Sequence, residues 1–394
     1  MEHTKPERLH ALDTVRGAAL LLGIFFHASF SFFPGDTFWI IMDTQRSTTL
    51  SVTAFILHIF RMAIFFILAG FFGRMQLRNL GVATFLKDRL KRLGVPLLIF
   101  WPIAMVAFTV LIIWAMVVSN GGTMPENPPP PPVMTLKTFP LTYLWFLYVL
   151  ILFYGALAIF RGLFIAVDRK QRIGQLFDAV LLGLQKTHLL PILLTIPAAI
   201  ALYYHKQWHP WFGIPTPENG FIPNTASLVI YGTAFGLGWA LHRQAGLIQR
   251  FEKSWLIYLL LAIALSTYCL MQVGTTPYYT TSVQGMTKIA YISAYALAIW
   301  CWSFGFIGLA QKFLSGHSAT RRYLADSSYW LYLVHLPLIM ALQVWVSQWG
   351  FPALAKYFII LAIALPIMLV SYHYLVRYTF IGALLNGKRK KRGN

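Results

Sequence analysis

Charge is scarce in this sequence. Only 11% of its 394 residues are Asp, Glu, Lys or Arg, where soluble domains run near a quarter, so an ordinary water-soluble enzyme is excluded. Acidic residues are the scarcer kind: 12 against 32 basic ones, a formal net charge of +20. There are two cysteines, Cys269 and Cys301, both inside apolar blocks. That leaves no disulfide framework and no thiolate metal site. The histidines are scattered, and no metal site is expected. No Gly-rich phosphate loop and no nucleophile elbow occur. No convincing internal repeat is found, which weakens an inverted-repeat transporter reading.

Apolar residues are abundant, at 58% of the chain, which excludes disorder. They fall in blocks of about twenty, the length that crosses a bilayer as a helix. The sequence therefore predicts an all-α polytopic membrane protein with about ten transmembrane helices, near 12–33, 50–73, 93–118, 141–160, 189–204, 224–241, 255–273, 285–310, 324–346 and 355–376. The first block has no small-residue cleavage site and reads as a retained helix. Lys and Arg concentrate in every second connecting segment, at the N-terminus and in the tail Lys388–Arg392, whereas the alternate loops hold only Arg46, Lys137 and Lys206. The positive-inside rule then places both termini in the cytoplasm, and the charge needs no nucleic acid to explain it. A single membrane domain over 1–394 is expected, with 385–394 a basic cytoplasmic tail that signals topology or meets lipid headgroups. The outer loops differ in character. Pro128–Pro132 should be extended polyproline. Lys206–Pro223 carries Trp208, Trp211, Phe212 and four prolines.

Ionisable groups inside spans are costly, so each is a candidate for function. Arg16 and His27 lie eleven residues apart on the first span. Eleven steps of 100° close three turns plus about 20°, which puts both on one face about 16 Å apart. Such a face suits a lined cavity; the alternative is an Arg that snorkels and a His bonded to a neighbouring helix. His58 and Arg61, at i and i+3, share a face of the second span. Arg61 is too deep to snorkel and needs an anionic or carbonyl partner, a structural one such as Asp13 or a ligand. Arg89 and Arg92 would share a face of an interfacial helix and suit phosphate oxygens, or serve only as topology charge. In the ninth span Tyr329, Tyr332 and His335 form a polar stripe. Pro337 removes the hydrogen bond to the Leu333 carbonyl beside it. The stripe reads equally as a core network or as substrate contacts from Tyr332 and His335.

Taken in order, these motifs resemble the membrane acyltransferase family 3. Arg16 and His27 match its Arg, ten residues, His motif. Arg89 and Arg92 match its Arg-x-x-Arg. Phe65-Phe-Ile-Leu-Ala-Gly70 matches its Phe-Phe-x-x-Ser-Gly run, with Ala69 where Ser is usual. Leu144-Trp-Phe-Leu147 and Ser328-Tyr-Trp-Leu-Tyr-Leu-Val-His335 are also typical. The segments from His58 to Phe66 and from Arg92 to Leu97 look most like the glucan biosynthesis protein C branch, taken to succinylate periplasmic glucans. The resemblance implies a multi-pass protein of the bacterial inner membrane, with no permanently bound cofactor. Acyl-CoA, as succinyl-CoA or acetyl-CoA, would be the donor and a periplasmic glucan the acceptor. Arg89 and Arg92 would hold CoA phosphates and Arg16 would orient the thioester. His27 would act as general base or carry the acyl group. Arg61 and His58 would take a succinyl carboxylate. An O-acetyltransferase of another exported glycan and a non-enzymatic transporter or flippase are the alternatives.

Overall fold

The computed structural model describes residues 10–128, 130, 133–168, 172–244, 246–279 and 283–387. Pro129, Pro131 and Pro132 of the proline run, and the Lys388–Arg392 tail, lie outside them. The described chain is helical, without a strand. In order come α1 (His10–Ala28), α2 (Thr48–Leu80), α3 (Val82–Arg89), α4 (Val95–Ser119), α5 (Trp145–Val167), α6 (Arg172–Lys186), α7 (Leu190–Tyr203), α8 (Thr225–Arg243), α9 (Gly246–Val273), α10 (Gly285–Phe313), α11 (Ala319–Val346), α12 (Ala353–Ser371) and α13 (Phe380–Asn386). It is an all-α polytopic membrane protein.

Each of the ten expected spans overlaps a helix, but only eight helical segments among the described residues are long and apolar enough to cross a bilayer. The two that fall short are α7 and α8. With 14 residues, α7 spans about 21 Å at 1.5 Å per residue, less than a hydrocarbon core of about 30 Å. Helix α8 packs against α2 and α7 and buries about half of its residues, so its sequence can carry Thr, Ser and Gly. The α2–α8 contact is very close. A Cβ on Gly70 would strike the Phe235 carbonyl, and one on Gly238 would strike the Ile67 carbonyl. Small residues let two backbones approach in this way. The glycine that closes the Phe-Phe-Ile-Leu-Ala-Gly run is therefore a packing residue.

Helices α1 and α11 lie side by side in parallel. An Arg16 Nη donates to the Ala325 carbonyl at 3.0 Å, and Gln343 Nε2 donates to the His27 carbonyl at 2.9 Å. The start of α1 and the end of α13 share one end of the bundle, where Asn386 Nδ2 donates to the Asp326 carbonyl at 2.8 Å. We call this the basic end. At the opposite end, Lys356 at the start of α12 pairs with Asp43 at 2.7 Å, both side chains wholly inaccessible. Burial raises the Asp43 pKa and the Lys356 ammonium opposes that shift. The pair ties the 34–47 loop to α12.

Two further loops at that end reach into the bundle. Residues 139–144 and most of 205–224 are buried or half-buried, while 133–138 stay exposed, and the two loops meet. Gly220 donates its N–H to the Phe139 carbonyl at 2.8 Å, and Phe221 to the Leu136 carbonyl at 2.9 Å. Tyr291, six residues inside α10, donates its hydroxyl to Pro210 at 2.8 Å. Non-helical backbone at such depth is tolerated where protein buries it or a cavity adjoins it. The 206–223 segment, expected as an outer loop, is thus a plug in the half of the bundle away from the basic end. Its Trp and Phe residues supply the apolar surface for that burial.

Candidate active site

Prolines open the backbone where the site is built. Pro96 has no N–H to give the Arg92 carbonyl four residues back, and a π-helical turn, Leu90–Gly94, precedes it. The freed carbonyl accepts the Tyr329 hydroxyl at 2.5 Å. Pro337 leaves the Leu333 carbonyl free in the same way, and Tyr143 donates to it at 2.7 Å. Tyr332 returns the contact to the Tyr143 carbonyl at 2.7 Å. The tyrosine stripe is therefore a set of cross-links between α3–α4, the α5 entrance and α11. Tyr332 is a structural link as well as a wall of the cavity described next.

A cavity of about 1260 Å³ runs through the bundle, and every candidate residue lines it: Arg16, His27, His58, Arg61, Arg89, Arg92, Tyr332 and His335. Asn386, Leu385 and Asp326 line its basic end, and Glu218, Asn219 and Tyr279 its opposite end.

At the basic end Arg89 and Arg92 do stand together, in an arrangement the sequence did not indicate. One carboxylate joins them: Asp88 accepts from Arg89 Nη2 and from Arg92 Nε, each at 2.7 Å. Arg89 also donates to Gln76, and Arg92 Nη1 to the Leu385 carbonyl at 3.3 Å. Arg16 pairs with Asp13 at 3.3 Å. Sequence reasoning did not pick out Asp88; its place beside Arg89 and four residues before Arg92 was the available signal.

Midway, four side chains gather. Gly23 faces the Arg61 side chain, so Arg61 stands at a level between Arg16 and His27 on α1. Its guanidinium lies 3.9 Å from the Phe26 ring centre. His58 stacks on the same ring at 5.3 Å, and the His27 and His335 rings are 5.3 Å apart. Arg61 is buried, forms no ion pair among the described residues, and its Nη1 has no hydrogen-bond partner among them. The Asp13 pairing allowed by the sequence is not made. Carbonyls only accept, so contacts fix two tautomers. His58 Nε2 donates to the Ile214 carbonyl of the plug at 3.3 Å. His335 Nδ1 donates to the Tyr332 carbonyl at 2.7 Å, leaving its Nε2 as acceptor in the neutral ring. His27 Nδ1 has no partner among the described residues. Trp39, stacked 6.5 Å from His27, donates to Gln343 Oε1 at 2.9 Å. Gln343 in turn holds the His27 carbonyl. Neither Trp39 nor Gln343 was singled out in the sequence.

Among the described residues no serine or cysteine competes as nucleophile. Ser328 is the only serine of these in the lining, and its hydroxyl donates to the Ala325 carbonyl at 2.8 Å. Cys269 and Cys301 are buried away from the cavity. Ala69, where the family pattern has Ser, lines the wall and its carbonyl accepts from Tyr154 at 3.0 Å.

A family model described as an acyltransferase domain matches residues 9–373. The chain belongs to the acyltransferase 3 family. It is similar to curated relatives named Glucans biosynthesis protein C from Salmonella schwarzengrund (strain CVM19633) and Salmonella typhi. Each is 24% identical over 389 residues, covering 98% of this chain and 97% of the relative. No solved structure gives a significant match. As a membrane acyltransferase, the protein brings its family's separate motifs onto the wall of one cavity. Arg16 and His27 sit on α1, Arg89 and Arg92 on the α3 end and the π turn, and His335 on α11.

Proposed function

We propose that the protein moves an acyl group, succinyl in our reading, from cytoplasmic acyl-CoA to hydroxyls of a periplasmic glucan across the bacterial inner membrane. The observation that carries this is the single cavity whose wall holds arginines at the basic end and His27 deeper in. Positive-inside charge assigns the basic end to the cytoplasm, where acyl-CoA is made. Arg89 and Arg92 bind the CoA phosphates, with Asp88 holding their forks in place. Arg16 orients the thioester end. The pantetheine arm enters the apolar middle of the cavity, and His58 and Arg61 receive the free carboxylate of a succinyl group. His27 takes the proton of the acceptor hydroxyl. The hydroxyl oxygen attacks the thioester carbonyl, the C–S bond breaks, and the CoA thiolate leaves and is protonated. In the alternative order His27 first carries the acyl group and then yields it to the hydroxyl. His335 and Tyr332 complete the wall of the acyl pocket.

The test uses purified protein with succinyl-CoA and periplasmic glucan. Thioester loss that depends on glucan, with ester-linked label on the sugar, supports the reading. Glucan binding or movement without thioester loss would instead identify a transporter or flippase. Transfer from acetyl-CoA alone would make the enzyme an O-acetyltransferase.

A further inference from the structure

The outer end of the cavity has a chemistry of its own. Its lining holds Phe38, Trp39, Phe212 and Tyr279, and the hydrogen-bonding groups of Gln207, Thr216, Glu218 and Asn219. Among the described residues no lysine lines any part of the cavity, and the arginines that do are Arg16, Arg61, Arg89 and Arg92, none from the outer loops. The outer end therefore offers one carboxylate, Glu218, two histidines, His205 and His209, and no Lys or Arg among the described residues, so it holds no permanently charged cation to draw an anion. Phe212 and Tyr279 stack at 4.8 Å, and Tyr279 is half exposed. Glu218 forms no ion pair among the described residues, so its oxygens are available as acceptors. From this platform the rings step inward: Phe212 to Phe38 at 5.9 Å, Phe38 to Phe30 at 5.7 Å, Phe30 to His27 at 5.2 Å. The plug that carries Phe212 and Glu218 also carries the Ile214 carbonyl bonded to His58.

We infer that this outer end is a saccharide subsite. The Phe212–Tyr279 pair receives the apolar face of an uncharged sugar ring, Glu218 and Asn219 bind its hydroxyls, and the aromatic steps lead an adjoining residue of the same chain toward His27. A pyranose has C–H faces that pack on aromatic rings and a rim of hydroxyls that donate to carboxylates. An anionic or purely apolar ligand would use only part of this surface. The inference rests on the transferase reading above for the identity of the sugar as acceptor, but the binding itself does not require transfer.

The test measures equilibrium binding of a β-linked glucose hexamer to the purified full chain without acyl donor, alongside binding of CoA. Tyr279→Ala and Glu218→Gln should each weaken hexamer binding roughly tenfold, and Tyr279→Phe should keep most of it. CoA affinity should not move in any of them, which also shows that the variants are folded. Failure of the wild-type protein to bind the hexamer, or equal binding by all three variants, overturns the subsite. Hexamer binding that the variants lose, in a protein that never consumes acyl-CoA, supports the subsite and removes the transferase reading. Transfer with an unchanged acceptor KM in Tyr279→Ala and Glu218→Gln does the reverse.

Discussion

The cavity contains two kinds of arginine. Those at the basic end are paired from within: Asp13 stands 3.3 Å from Arg16, and Asp88 binds Arg89 and Arg92 together. Arg61, near the middle, has an aromatic ring for company and no carboxylate among the described residues. The difference is instructive. A paired guanidinium at a membrane edge is explained by topology and folding, and a ligand is an addition to that account. A buried guanidinium without a counter-ion costs several kcal/mol. In the proposed function that counter-ion is an anion that arrives with substrate, so there the lone arginine reads specificity and the paired ones dock the donor.

His27 stands apart from both kinds and gives the largest expected effect. His27→Ala should lower transfer by about 10²–10⁴-fold while CoA affinity stays near wild type. Wild-type turnover in this variant would remove the histidine from the chemistry and leave only the arginines to compare.

Arg61→Ala should come next. Succinyl transfer should fall by two orders of magnitude or so, the cost of a buried carboxylate losing its cation, and acetyl transfer by much less. A monodisperse Arg61→Ala protein that still prefers succinyl-CoA would end the claim that the unpaired arginine reads the acyl group. Equal loss of both activities with a lower melting temperature would make Arg61 structural, like its paired counterparts.

For the paired set, Arg89→Ala with Arg92→Ala should weaken CoA binding by about 1.5–3 kcal/mol for each charge-assisted hydrogen bond to phosphate that is removed. Lysine at either position should restore only part, because it lacks the planar fork. Titration calorimetry showing unchanged CoA affinity would reduce the pair to a topology signal.

These expectations show what the sequence could carry. Span positions were legible because hydrophobic blocks report residence in an apolar medium, and the i, i+3 and i, i+11 spacings place His58 with Arg61 and Arg16 with His27 on common faces. The burial of Arg61 was legible for the same reason. The sharing of Asp88 by Arg89 and Arg92 was only half legible: the i,i+4 spacing offered Asp88 to Arg92, but not that the same carboxylate also takes Arg89. The plug at 205–224 was hidden as well: prolines and glycines mark it as a loop, and hydropathy does not say whether a loop folds inward. Lys356 and Asp43 are more than three hundred residues apart in sequence, so their meeting is a property of the tertiary fold alone.

The smallest effect concerns the scaffold that holds both regions. Tyr143→Phe leaves the Leu333 carbonyl beside Pro337 without its donor. It should cost about 1–3 kcal/mol of stability, read as a lower melting temperature, with CoA binding at the basic end unchanged. An unaltered melting temperature would mean that another donor reaches that carbonyl.

The account's central claim is that the acyl group passes through the cavity from the arginine end to the far side. Its most direct test is sided transfer in vesicles that contain the purified protein, with labelled succinyl-CoA on one face of the bilayer and glucan only on the other. The prediction is labelled, ester-linked succinate on the glucan, absent with His27→Ala. Label that reaches glucan only when donor and acceptor share one face would contradict the claim.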